Sequence, residues 1–188
     1  MTLSLRPADW TEEEDRLGFF GPDSITWRVH SDPSFSVAGL RALLLQALHP
    51  VAMDGVAQNS EGFRESPWPR LMRTAAYVDT LTFGTRREAL RAVRRVRGIH
   101  RQLGGVEETS GRDYRVDDPD LLLWVHCCEV DSLLSVARRA GVPLTDAAAT
   151  GALRAFRQAT LTLPQNARRS PIVWAGWERV ASPEPRSA

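Results

Sequence analysis

The sequence predicts an all-α fold: a single, mostly helical domain of about five to seven helices around a buried core helix. Three observations carry this. Helix start and stop residues divide most of the chain into segments of helical length, apolar residues recur within those segments at helical spacing, and only the surroundings of Tyr114 read as extended. A chain of 188 residues is long enough for one sizeable core and calls for no second.

Thr11 and Glu14 have the spacing of a capping box and open a short entry helix that ends near residues 18–21. Residues 22–33 read as a loop. Ser36 then caps a long apolar helix through Val37, Leu40, Leu43, Leu44, Ala47, Leu48, Val51 and Val56, expected to be largely buried, with a kink at Pro50 beside His49 because proline removes a backbone donor. Ser66 and Pro67 form a cap and first-turn proline for the next helix, through Leu71, Thr74, Ala75, Val78 and Leu81 to a stop at Gly84.

Thr85 and Glu88 form a second capping box, opening a helix through Leu90, Val93, Val96, His100 and Leu103 that stops at Gly104 and Gly105. Asp118 and Pro119 start a helix over residues 120–140, ended by Gly141 and Pro143. A last helix is expected over residues 146–159. Four prolines beyond it make residues 161–188 an irregular tail behind a helical domain of residues 1–160.

Composition excludes several classes. The net charge is only +1, which argues against a polyanionic partner such as nucleic acid; arginine is the sole basic side chain besides histidine. The N-terminus has no apolar signal core, and the longest nearly apolar stretch, residues 121–130, falls short of the roughly 18 residues a membrane span needs. This reads as a cytoplasmic chain with no transmembrane segment, leaving peripheral membrane contact open. Cys127 and Cys128 are neighbours in an apolar helix and read as free thiols. No phosphate loop, nucleophile elbow or zinc-type cysteine pattern is present.

His100 lies on the apolar stripe of its helix, with Val93 and Val96 seven and four residues before it, so its imidazole is expected to point inward. Such a ring is either a core histidine bonded to a carbonyl or a metal ligand, haem iron included. Arg97 precedes it by three residues, on a neighbouring part of the same face; the other arginines of that helix, Arg86, Arg87, Arg91, Arg94, Arg95 and Arg101, suit a solvated face. Arg70, Arg73 and Thr74 put two donors and a hydroxyl on one side of the preceding helix, as an anion site or as ordinary first-turn residues. His49 is a polar point in an apolar layer, and His126 with Glu129 has a three-residue spacing that only weakly suggests a metal site.

Five stretches carry a resemblance: residues 45–50 (Leu-Gln-Ala-Leu-His-Pro) with Gly55 and Val56; residues 69–74 (Pro-Arg-Leu-Met-Arg-Thr); Phe83 and Gly84; His100 with Gly104 and Gly105; and Trp124 with His126. Over residues 36–140 the chain resembles the MpaB-type oxygenase and rubber oxygenase (latex-clearing protein) family. The resemblance implies haem b in a helical fold, with His100 as the axial iron ligand. Arg97, Arg73 and His49 would contact the cofactor, and Arg70 and Thr74 would be catalytic. It also implies an oxygenase acting on a hydrophobic, isoprenoid-like substrate. Arg73 stands where the rubber enzymes have lysine, a change of geometry at constant charge. Asn59 and Ser60 stand where the family commonly reads His-Ser, and the ending after residue 140 departs from the family and suggests a shortened chain. The competing expectations are a non-catalytic helical protein that binds an acidic partner through its Arg-rich helix, and an inactive, truncated relative.

Overall fold

The computed structural model describes residues 7–60 and 65–145. Thr11 caps α1 (Glu12–Arg16) through the expected box, its hydroxyl accepting from Glu14 N while the Glu14 carboxylate accepts from Thr11 N. The segment expected as a loop contains α2 (Ile25–Ser31), capped by Ser24 through the Trp27 N–H at 3.1 Å. It is too short for a periodic signal, and prolines flank it on both sides.

The long apolar helix is two helices. α3 (Phe35–Gln46) starts behind Ser34, with Ser36 inside it, and α4 (Pro50–Gln58) leaves at 107°. Pro50 opens α4 with His49 as its cap, so proline here begins a helix rather than kinking one. The expectation of burial also fails. Only Ala38 and Ala42 of α3 are buried, while Leu44 and Leu48 keep 64% and 72% of their surface exposed. The small alanines let α3 approach α7 closely, which leaves the larger leucines on the opposite face. Among the described residues no single helix is long and apolar enough to cross a membrane, although α3 and α4 together pass by length and composition.

α5 (Trp68–Phe83) begins behind Pro67, so Ser66 is not its cap; Gly84 ends it as expected. Thr85 caps α6 (Arg86–His100) through the second box. That helix stops at His100, because Gly104 and Gly105 belong to β1 (Gly104–Val106), which pairs antiparallel with β2 (Asp113–Arg115) in the register Gly105 to Tyr114. The turn between the strands is tied by Glu107, whose carboxylate accepts from Thr109 N and Ser110 N at 2.8 and 2.7 Å. α7 (Pro119–Arg139) is capped by Asp118, which accepts from Asp120 N and Leu121 N, and ends before Gly141 at φ +82°.

These seven α-helices and one small hairpin are the all-α fold the sequence predicts, and α7 is its core helix. Leu133 and Ala137 of α7 pack with Val29 of α2 and Ala38 of α3, joined by Phe35, Val142 and Leu144. Arg41 on α3 pins the pair by donating to Asp131 and Ser132 at 2.6 and 2.8 Å. The expected helix at residues 146–159 and tail at 161–188 lie outside the described residues.

Candidate functional site

Two helix pairs frame the site: α5 with α6, and α3 with α7. α2 lies against α5, α3 and α7, and α4 bridges α7 to the hairpin. α5 thereby turns Arg70, Thr74 and Tyr77, spaced four and three residues apart, along one side of the helix.

Arg70 is half-buried. Its guanidinium donates to the Ser60 hydroxyl at 2.9 Å and has no carboxylate partner among the described residues. Burial first, and the neighbouring Arg73 charge second, lower its proton affinity. A partly desolvated guanidinium beside a second cation, with no acid among the described residues paired to either, is a site that favours an anion. Arg73 is exposed, and Arg97 is half-buried without an ion pair to a described residue. Thr74 is exposed and its hydroxyl donates to the Arg70 carbonyl at 3.1 Å, within its own helix turn.

His100, at the end of α6, is half-buried, and its ring makes no hydrogen bond with a described residue. Burial pushes its pKa below the usual histidine value, the Arg70 charge pushes the same way, and Asp117 opposes them. The imidazole is therefore neutral around pH 7, the form that ligates a metal. The structure thus brings Arg70, Arg73 and His100 into one electrostatic neighbourhood from two consecutive helices.

His49 sits at the corner between α3 and α4. Its ring lies 5.9 Å from that of Trp124 on α7, and its Nδ1 is buried without a hydrogen-bond partner among the described residues. Trp124 and Gln46 clasp the same corner, with Gln46 donating to the Val125 carbonyl at 3.0 Å.

Sequence reasoning missed the support beneath Arg70. Asn59 donates to the Gly55 carbonyl at 3.0 Å and to the Tyr114 hydroxyl at 3.3 Å, and Tyr114 donates to Gln58 at 3.1 Å. Gln58 in turn donates to the Val106 carbonyl at 2.9 Å, so the hairpin that follows His100 holds the end of α4 and, through it, Ser60. The Asn59-Ser60 departure from the family pattern is therefore an anchored segment; only its partners, distant in sequence, make that visible.

It also missed Tyr77. Burial first and the Glu129 charge second push its phenol up to about 12, and burial raises the Glu129 carboxyl to about 7. Burial lowers His126, one turn before Glu129 on α7, to about 4. No group of three or more potential metal ligands occurs among the described residues.

The Arg-rich face of α6 divides in two. Arg86 and Arg87 face Glu14 and Asp15 of α1, at 3.8 and 3.5 Å, whereas Arg91, Arg94, Arg95 and Arg101 are exposed. Cys127 and Cys128 are free thiols, half-buried and buried, as expected.

Neither the curated proteins nor the solved structures contain a match to this chain. The family model described as "ER-bound oxygenase mpaB/B'/Rubber oxygenase, catalytic domain" matches residues 27–187, beyond both ends of the stretch that carried the resemblance. With Arg70, Arg73, Thr74 and His100 all inside that match, the chain belongs to the MpaB and rubber oxygenase catalytic-domain family.

Proposed function

We propose that the chain is a haem-dependent oxygenase for a hydrophobic, isoprenoid-like substrate. The observation that carries this reading is the neutral His100 imidazole beside an Arg70 guanidinium that has no acid partner among the described residues. These groups fit haem on the chemistry of the donor set: a neutral ring that bonds to no described residue for iron, and guanidinium groups for the propionates. His100 would hold the iron, and Arg70, Arg73 and Arg97 would take the carboxylates.

When bound, haem supplies dioxygen activation at iron, and the chain supplies ligation, orientation and charge. Arg70 adds to the burial that keeps His100 neutral, Ser60 fixes the direction of Arg70, and the Thr74 hydroxyl ties the helix turn that carries it. The family and the apolar residues of the flanking helices support a hydrophobic substrate.

The test is the ultraviolet-visible spectrum of the purified protein after haem supplementation. A Soret band in the wild type, shifted or lost in His100→Ala and weakened in Arg70→Ala, is the expected result. A wild type with no Soret band, or an unchanged spectrum in His100→Ala, overturns the reading.

A further inference from the structure

The net charge of +1 conceals a local imbalance on α6. Glu88 is the one acid of that helix, and the Thr85 capping box takes it up. Arg91, Arg94 and Arg95, with Arg101 at the C-cap, are exposed, and none forms an ion pair with a described residue. At helical spacing these four fall on about a third of the helix circumference and run for about 15 Å. Gly98 and Arg87 complete that arc, and Arg87 already faces Asp15. The strip ends where exposed apolar side chains begin. Arg70, near the start of α5, donates to Ser60, while Gln58 and Asn59 just before Ser60 donate to Val106 and Tyr114 of the hairpin that follows α6. These bonds bring the start of α5 to the end of α6. Trp68 and Met72, one turn apart on α5, keep 67% and 63% of their surface exposed there, and Ile99 in the last turn of α6 and Val106 on β1 are exposed as well. Single exposed apolar side chains are ordinary, but several at one end mark an interaction surface.

We propose that this end of the α5–α6 pair docks on the surface of an anionic lipid bilayer, with the α6 arginines on lipid phosphates and carboxylates and Trp68, Met72 and Ile99 at the acyl boundary. The complementarity is of two kinds. Guanidinium forks match phosphate oxygens two at a time, and each arginine near an anionic membrane strengthens binding by about fivefold. The apolar side chains leave water for the headgroup and acyl boundary, a layer that only a lipid surface places beside its charges. A nucleic acid presents the same phosphates and a base to stack on Trp68, but no apolar layer for Met72, Ile99 and Val106. Arg70 and His100 lie at the same end, so a hydrophobic substrate dissolved in the bilayer would have a short path to them. That consequence rests on the oxygenase reading; the docking itself does not.

The experiment floats the full-length chain, supplemented with haem, with vesicles of phosphatidylcholine alone and of phosphatidylcholine mixed with phosphatidylserine, and records the haem spectrum of the same samples. The anionic vesicles are expected to bind about tenfold more tightly or better, with the difference shrinking as salt rises. Replacing Arg91, Arg94 and Arg95 together with Gln should weaken that binding by about a hundredfold. Trp68→Ser with Met72→Ser should weaken it by less. Replacing Arg28, Arg138 and Arg139 with Gln makes the same charge change on α2 and α7, at exposed positions, and should leave binding within about threefold of the wild type. Equal binding to the two vesicles, binding to neither, a control variant that loses as much as the α6 variant, or tighter binding to a single-stranded oligonucleotide overturns the proposal. Thermal melts report whether each variant folds, and the two arginine variants decide if the Trp68 and Met72 pair does not. A chain without a Soret band that keeps the α6-dependent binding refutes the haem reading and leaves the docking standing; a normal band without that binding does the reverse.

Discussion

The Arg70 guanidinium is anchored on the Ser60 hydroxyl at 2.9 Å and lowers the proton affinity of His100 on the next helix. A cation that adds to burial in keeping an imidazole neutral acts as a positioning residue, because it favours the protonation state a metal ligand needs.

Replacing Arg70 with Met removes that charge and keeps most of the side-chain volume. The His100 pKa is then expected to rise by the smaller, electrostatic part of its shift and to stay below the ordinary histidine value, because burial is the larger cause. Imidazole titration by nuclear magnetic resonance, without added haem, measures this. An unchanged His100 titration would mean that burial alone accounts for the shift.

Ser60 and Asn59 acquire their meaning from the hairpin, which predicts a remote effect. A Cβ on Gly105 would collide with the Gln58 side-chain oxygen and lie 2.9 Å from the Tyr114 hydroxyl. Gly105→Ala should therefore loosen the Gln58–Tyr114–Asn59 contacts and weaken haem retention in the same direction as Ser60→Ala. Haem dissociation rates for the two variants provide the comparison. Retention equal to wild type in Gly105→Ala would separate the hairpin from the site.

The parts of this fold legible in the sequence are those specified locally. The capping boxes at Thr11 and Thr85 and the Asp118 cap each need only residues within one turn, and all three form as read. Pro50 was misread because proline suits the first turn of a helix as well as a kink, and the choice depended on a 107° change of direction that packing sets. The burial of α3 was misread because apolar pattern does not say which face meets a neighbour; Ala38 and Ala42 won that contact through close approach. At the site, the spacing of Arg70, Arg73 and Thr74 and the inward His100 were readable. The role of Ser60 was not, since it depends on a partner ten residues away.

Arg86 makes the docking of the N-terminal segment testable. Its Nε donates to the Gly18 carbonyl at 3.0 Å, its guanidinium lies 5.7 Å from the centre of the Trp10 ring, and Glu14 is 3.8 Å away. A largely enclosed guanidinium with a carbonyl and an aromatic face contributes on the order of 1–2 kcal/mol. Arg86→Ala should lose about that much in chemical denaturation, and Arg87→Ala, whose side chain is about half exposed at the rim, should lose much less. Equal losses would contradict this division.

Glu129 and His126 predict opposite slopes of stability against pH, one turn apart on the same helix. Burial raises the Glu129 carboxyl from 4.5 to about 7, so between those values the folded chain holds more protons than the unfolded one, and stability falls as pH rises. Burial lowers His126 from 6.5 to about 4, so in that window the unfolded chain holds more protons, and stability falls as pH falls. The windows overlap between about pH 4.5 and 6.5, where the two effects offset each other. Glu129→Leu should remove one of them. Stability at pH 8 then rises by something on the order of 1–3 kcal/mol, since the carboxyl retains some contact with solvent, and the melting temperature between pH 4.5 and 6.5 begins to climb with pH under the influence of His126. Melts of wild type, Glu129→Leu and His126→Gln across pH 4 to 8 check the assignment, and parallel profiles for wild type and Glu129→Leu would sink it.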